Sequence, residues 1–525
     1  MILDALDPTC PRILDCDICV IGAGAAGAYL AHRCAASGKD VVVLEAGGRR
    51  VLSDVEAGFS AEESGSRYGG LHEGRGFGFG GTSALWGGML IPYGAMDASQ
   101  TDGQGGGAWR HIVDVARNNT AKVRASLGVC GAPDYDTRAG SFLGALHGAL
   151  DTLRITTRVS EMLPFRLRNL ARLLSNGCGA RGARVVLHAV AKEWSFGDTP
   201  TGCRVQAVRA VAESGLQLEV RARVFVIAAG AIETARILLE MAAPPAGPRP
   251  LGSSEVGQGL SDHLSVRIAA VAPADAHLAI ERFGFRFDGD VLRSVRMIDR
   301  DALASCPRHF AHVLFHIDQP GFALARKVLA SLQARRVPRV APVEAFRGAA
   351  GLSALAFHRI ARHRLFVPRG TSVSLQLDVE QLPAATNRVT LGAERDRYGR
   401  FRPRVHWSIS DGDWAAIGAI RAHLLRKWVT LGRQVPRADP VALGSAEAKP
   451  HDAYHPVGGC RLGDDRASVV TRDLLVRGTT NLHVLSTGVF PSAGTANPTF
   501  SLLCFGEALA TRLMRWGMHE GKLPS

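Results

Sequence analysis

Asp17-Ile18-Cys19-Val20-Ile21-Gly22-Ala23-Gly24-Ala25-Ala26-Gly27 is the stretch on which the fold turns. The β-branched apolar run from Asp17 to Ile21 reads as a buried parallel strand. Three glycines follow at G-x-G-x-x-G spacing, and a helical pattern runs from Ala28 to about Ser37 with Gly38 as its stop. A second apolar run, Val41 to Leu44, ends on Glu45. Each part has a physical task. Gly22 permits a tight turn, Gly24 lets backbone approach a pyrophosphate, and Gly27 lets helix and strand pack closely. The helix N-terminus offers unpaired N–H groups and the positive end of its dipole to phosphate. Glu45 is expected to accept hydrogen bonds from ribose hydroxyls, and Ala25 and Ala46 complete this predicted binding set. Strand, triplet, helix, strand and acid in register predict a Rossmann-like, dinucleotide-binding unit.

The motif alone does not choose between NAD and FAD; the segments after it do. Leu44-Glu45-Ala46-Gly47-Gly48 is a glycine-extended ending of the kind found where FAD lies stretched through its domain. Arg75 to Gly88 then holds six glycines in fourteen residues. Their entropic cost is too high for a helix or strand interior. A second backbone surface pressed against a flat or anionic ligand accounts for them.

With these residues in view, the sequence resembles the glucose–methanol–choline oxidoreductase family of FAD-dependent alcohol oxidases and dehydrogenases. Gly80-Gly81-Thr82-Ser83 is similar to the family's signature near the flavin ring. Val224 to Leu239, which contains Gly230, resembles the strand–turn–helix that returns to the cofactor. Val256 to His263 resembles the block that follows. Tyr454 to Gly463 and Gly488 to Asn497 resemble the C-terminal catalytic region. The matches run in family order from about residue 15 to 515, around a divergent middle. Details of Trp86 and of Phe490 to Gly494 look closer to bacterial sugar and polyol dehydrogenases than to fungal glucose oxidases.

The resemblance implies an α/β fold: a Rossmann-like FAD-binding domain with an inserted α+β substrate domain on an antiparallel sheet. The expected cofactor unit is 1–110, 183–268 and 452–525, and the substrate unit 111–182 and 269–451. Val190 and Gly488 join the expected FAD-binding residues. FAD is expected to be noncovalent, because no histidine neighbours Trp86. Ser486 stands where the family usually has Asp, which removes one expected cofactor hydrogen bond; backbone N–H groups around Gly488 are the expected substitute.

Alcohol oxidation by a flavin needs a base for the hydroxyl proton and an acceptor for the hydride. A neutral imidazole suits the first task. The resemblance assigns it to His455, on the turn before Pro456-Val457-Gly458-Gly459. Asn497 is the second expected catalytic residue, donating to the developing alkoxide; it also precedes Pro498, so helix capping explains it equally well. His72, His263 and His451 read as structural, and no spacing suggests a metal site. A lyase that retains FAD without net redox is the alternative reading of the same residues.

The remaining composition narrows the setting. The chain has 525 residues, 46% apolar and 21% charged, an ordinary globular mixture. Net charge is +14, and only 7 of the 62 basic residues are lysine. Arginine spread through the whole chain is not a recognition patch, so no specific nucleic-acid partner is expected. Ten scattered cysteines favour reduced thiols and a cytoplasmic location. The expected partners are a small alcohol and an electron acceptor, O2 or a quinone. In the middle, Ser372 to Val379 alternates like an antiparallel strand, and Asn387 to Leu391 and Arg404 to Trp407 continue in that style. Asp411 to about Leu431 reads as a helix with Asp411 as its cap. Thr101 to Gly107 reads as a loop tip. Residues 321–370 carry ten basic residues against one acid, interleaved with apolar ones. Two readings stand for them: a solvated face over the substrate channel, or a basic amphipathic surface for peripheral contact with an anionic membrane.

Overall fold

The computed structural model describes residues 1–99, 106–131, 135–136, 138–175, 182–243 and 254–515. The strand expected from Asp17 begins earlier and spans Ile13–Ile21, with its last four residues buried. The helix Ala25–Ala36 and the fully buried strand Val41–Leu44 follow. The glycine spacing is explained by contact. A Cβ on Gly27 would collide with the Gly22 carbonyl oxygen and lie 3.2 Å from Val20 Cγ1. Gly22 has φ +103°, and a Cβ there would lie 2.7 Å from the Ala228 carbonyl oxygen.

Ile13–Ile21 lies inside an eight-stranded sheet. Val41–Leu44, Arg184–Leu187 and Ile2–Asp4 extend it in parallel on one side. Gln217–Ile227 pairs in parallel on the other, and Gly202–Val211 and Val190–Thr199 continue antiparallel. The short strand Leu482–Val484 pairs with the end of Gln217–Ile227, so both ends of the chain build this sheet. The helix Pro498–Arg515 is tied to Ala25–Ala36 by Glu507, which accepts from Tyr29 Oη at 2.9 Å and pairs with Arg33 at 2.7 Å. This is a mixed α/β, Rossmann-like architecture.

A second sheet of nine strands is antiparallel throughout, with His263–Val271, Ser372–Glu380, His309–His316, Val291–Asp299 and Ile155–Met162 as successive neighbours. The boundaries drawn at 110 and 268 each fall inside an element: the helix Gly106–Ser126 and the strand His263–Val271, which pairs in this second sheet. The strands Arg388–Arg395 and Phe401–Trp407 do not continue it, as their pattern suggested. They form a separate three-stranded sheet, because Glu62–Gly65 supplies a parallel edge from more than 300 residues upstream. The cap of the helix Asp411–Thr430 is Ser410 and not Asp411: Ser410 Oγ accepts from the Asp413 N–H at 3.1 Å, and the Asp413 carboxylate accepts from the Ser410 N–H in return. Most of the loop tip at 101–107 lies outside the described residues.

The two kinds of glycine can be separated by stability. Gly27→Ala is expected to cost about 1–3 kcal/mol by overpacking. Gly148→Ala, in the helix Ala145–Thr152 with nothing within 4 Å of the new Cβ, is expected to gain roughly 0.5–1 kcal/mol. Urea unfolding of both variants measures the difference.

Candidate active site

The glycine turn, the Arg75–Gly88 loop and the start of the helix Pro498–Arg515 surround one cavity of about 1400 Å³, its open mouth included. Of the residues expected from the sequence, Gly22, Gly24, Ala25, Glu45, Ala46, Gly81, Thr82, Ser83, Gly230 and His455 line it. The others stand just behind. Gly27 packs beneath the turn, and the Gly80 N–H donates to the Ala23 carbonyl at 3.1 Å, joining the two glycine loops. Val190 is buried with Ala57, Phe59 and Tyr398 while Ala189 and Ala191 face the cavity. Gly488 and Asn497 sit behind Ser486, Thr487, Pro498 and Thr499, which line it.

Glu45 is used differently from the sequence reading. Its carboxylate accepts the backbone N–H groups of Ala23 at 2.8 Å, Gly47 at 2.9 Å and Gly78 at 3.0 Å. It therefore staples three loops of the cavity wall, leaving about one lone-pair site for a ribose hydroxyl. Burial pushes its pKa up to about 7, against the pull of those three donors. The cavity fits an extended dinucleotide on two grounds. A Cβ on Gly24 would meet nothing within 4 Å, so the backbone is open to a ligand at the helix N-terminus. Ser486 Oγ is buried, lines the cavity and has no hydrogen-bond partner among the described residues.

His455 and Asn497 are brought together, with Asn497 Nδ2 2.7 Å from His455 Nε2. His455 follows Tyr454, a non-glycine residue at φ +60°. The bend is held by Asp262, whose carboxylate accepts the His455 N–H at 2.9 Å, the His263 N–H at 2.7 Å and the Tyr68 hydroxyl at 2.8 Å. Burial and neighbouring Asp452 push Asp262 up to about 8. The loop before Asn497 is pinned by two more buried acids. Asp97 accepts the Thr495 N–H at 2.7 Å, and Glu380 accepts the Gly494 N–H at 3.2 Å and the Ser492 hydroxyl at 2.6 Å.

Known proteins resemble this chain in the segments that carry these residues. The GMC oxidoreductase family model matches residues 383–506, which hold both His455 and Asn497. Over that segment the chain is similar to GMC oxidoreductases. An NAD(P)-binding Rossmann-like domain model matches residues 20–53, the glycine turn and Glu45. 6'''-Hydroxyparomomycin C oxidase of Streptomyces lividus is 24% identical over 95% of this chain and 91% of its own length. C-glycoside 3-oxidase of Microbacterium trichothecenolyticum is 33% identical over 27% of this chain and 26% of its own. The solved structure of pyridoxine 4-oxidase from Mesorbium loti shares the fold, with a TM-score of 0.56 at 15% identity, covering 96% of this chain and all of that one. The segment match and the relatives' names together make the protein an oxidoreductase acting on CH–OH donors.

The sequence reading missed two residues of this site. His263, taken as a packing element, places its Nδ1 3.2 Å from His455 Nδ1 and its Nε2 2.8 Å from the Gly494 carbonyl. Arg296, which no motif marked, donates through Nη2 to Asn497 Oδ1 and lies 3.9 Å over the Phe310 ring. By contrast, His72 faces Asp54 and Glu63, and His451 is exposed on a strand edge.

The two ends of this chain of contacts decide its protons. A carbonyl only accepts and a guanidinium only donates. Gly494 therefore requires a proton on His263 Nε2, which makes the Nδ1 of neutral His263 an acceptor. His455 must then donate from its own Nδ1, leaving a lone pair on Nε2. From the other end, Arg296 occupies Asn497 Oδ1, which turns Nδ2 toward that lone pair. Both rings are neutral: burial, with His263 and Arg296 adding to it, pushes His455 down to about 3. Burial pushes His263 down to about 4. In 15N-histidine NMR spectra, His455 is expected as the Nδ1–H tautomer and His263 as the Nε2–H tautomer. Neither should gain a proton as the pH is lowered from 8 to about 5, because both values lie below the ordinary 6.5. A midpoint near 6.5 for either ring contradicts the assignment.

Proposed function

We propose that this enzyme oxidises a CH–OH group of a sugar, glycoside or polyol to the carbonyl, with noncovalent FAD in the cavity. The observation that carries the reading is the neutral, oriented base: His455 Nε2 at the cavity wall with Asn497 Nδ2 beside it. Bound FAD supplies the hydride acceptor. His455 takes the hydroxyl proton on Nε2, the ring nitrogen that carries no proton, as the Asn497 Nδ2–H that faces it turns to the substrate oxygen. Asn497 donates to the oxygen on which negative charge develops. Asp262 and His263 hold the ring so that the base meets the hydroxyl without searching for its geometry. The proton cannot rest on His455 for long, since burial disfavours the imidazolium, and it leaves as the product does.

The residues fit this cofactor and its noncovalent binding. Ser486 Oγ is free for a polar atom of the ligand, and His455, the histidine that lines the cavity, is engaged through both ring nitrogens. In this reading residues 111–182 and 269–451 set substrate choice over a cofactor unit made of 1–110, 183–268 and 452–525. The sugar-like substrate class is supported by the names of the two relatives quoted above, and a third, the alcohol dehydrogenase [acceptor] of Pseudomonas putida, is 32% identical over 78 residues, 15% of this chain and 14% of its own length. These names are oxidases and a dehydrogenase, and give the lyase reading no support. The acceptor is O2 or a quinone. None of the nine described cysteines is disulfide-bonded, which supports a reducing, cytoplasmic setting; residues 321–370 are free there to meet a membrane surface.

Anaerobic mixing with a panel of sugars and polyols, followed by air or a quinone, tests the reading. One substrate should bleach the flavin, and the faster reoxidant names the acceptor. His455→Ala should slow bleaching about 10²–10⁴-fold, and Asn497→Ala about 10–10³-fold. Unchanged rates in both variants remove them from the chemistry.

A further inference from the structure

The segment 321–370 folds as two helices, Pro320–Gln333 and Pro342–Ala361. They cross closely because both are glycine there: a Cβ on Gly321 would lie 2.6 Å from Gly351 Cα. The second helix has twenty residues, yet the only ones it buries are Gly348 and Gly351. Helices of globular proteins draw most of their stability from packing an apolar face. Here the apolar face points outward. Val343, Phe346, Phe357 and Ile360 recur at three- and four-residue intervals with Ala350 and Ser353, and they are 52%, 85%, 56% and 75% exposed. Leu329, Leu332 and Val337 continue the exposed patch onto the neighbouring segment.

The charge around this stripe is predominantly positive. Lys327 pairs with Glu344, Arg336 with Glu56 and Arg359 with Asp290. Arg326, Arg339, Arg347, Arg362, Arg364 and Arg369 have no ion pair among the described residues. Glu344, the single acid between 321 and 370, is already engaged. A second copy of the chain would set arginine against arginine, so a self-dimer through this face is disfavoured. A protein partner would be specified by hydrogen-bonding side chains, and the stripe offers almost none.

We propose that this helix pair docks the enzyme on an anionic lipid surface, with Phe346, Phe357 and Ile360 entering the headgroup–acyl boundary and the unpaired arginines meeting lipid phosphates. The docked face is joined to the cavity rim. Gln333, the last residue of the first helix, donates through Nε2 to the carbonyls of Ser83 at 3.1 Å and Trp86 at 2.9 Å, both of which line the cavity. Docking thus turns the cofactor end of the molecule toward the bilayer. It rests on the free surface of 321–370 and not on the alcohol chemistry.

Flotation of the full-length flavin-loaded protein tests this directly, with phosphatidylcholine vesicles set against vesicles of equal phosphatidylcholine and phosphatidylglycerol. The wild type is expected to float with the anionic vesicles alone, and less as salt rises. Two triple variants, Phe346→Ser/Phe357→Ser/Ile360→Ser and Arg339→Gln/Arg347→Gln/Arg362→Gln, should each lower the partition coefficient about tenfold or more. Their melting temperatures and flavin reduction by a water-soluble alcohol should match the wild type. Absence of flotation at low salt overturns the proposal, as does wild-type flotation of both variants. A concentration-dependent dimer abolished by the apolar variant, without vesicle binding, assigns the face to a second copy instead. Failure of every alcohol to reduce the flavin would strike the chemical reading and leave the flotation result standing.

Discussion

The buried carboxylate of Asp262 ties the antiparallel sheet to the His455 turn and to Tyr68. It stands immediately before the strand His263–Val271 and accepts from that strand's first residue, from the His455 turn and from Tyr68. Removing a carboxylate from water costs several kcal/mol, and three or more donors are what make the burial tolerable. The same bonds hold the chain through Tyr454, whose φ of +60° a tyrosine would not adopt unaided. Asp452 anchors the other side of that bend by accepting the Gly69 and Gly70 N–H groups at 2.8 and 2.6 Å. The base is thus positioned by backbone geometry, and its ring has little freedom left to lose when substrate arrives.

What could be read in the sequence follows how local each interaction is. The strand, triplet, helix and second strand between 13 and 45 are adjacent in the chain, and each glycine answers a contact within that unit or with the neighbouring strand. His455 and Asn497 were legible through resemblance, because their blocks are short and contiguous. Glu45 was found, but not its backbone partners Ala23 and Gly78, which come from loops that close only in three dimensions. His263 and Arg296 could not be weighed from local pattern. His263 becomes a partner of His455 only because Asp262 clamps the two segments together. Arg296 reaches Asn497 through the register of a sheet in which it stands opposite Arg158, 138 positions away. One signal was available for His263: an Asp-His pair just before a β-run, the acid free to hold a second loop.

The net charge of +14 divides in the same way. Most arginines are spent inside the molecule or on nearby acids, where a planar five-donor group is more useful than an ammonium. Arg236 is buried between Glu233 and Glu240, and Arg308 is buried against Glu380 while lying 4.4 Å over Trp109. Arginine therefore acts here as a structural residue that happens to be charged. The helix pair at 320–361 is the exception, since there arginine and apolar side chains both face outward.

The amide at position 497 follows from the charge beside it. Arg296 is buried, with burial pushing it down to about 9, so it remains a cation at working pH. A second titratable ring at 497 would bring another proton-binding group between a guanidinium and His455. An amide cannot take up a proton. It accepts from Arg296 on one atom and donates toward His455 from the other, so it passes on an orientation without carrying a charge. His455 is then the one group at this point that changes protonation. Burial holds its pKa well below the ordinary imidazole value, at about 3. In the proposed reaction this keeps Nε2 unprotonated until substrate arrives.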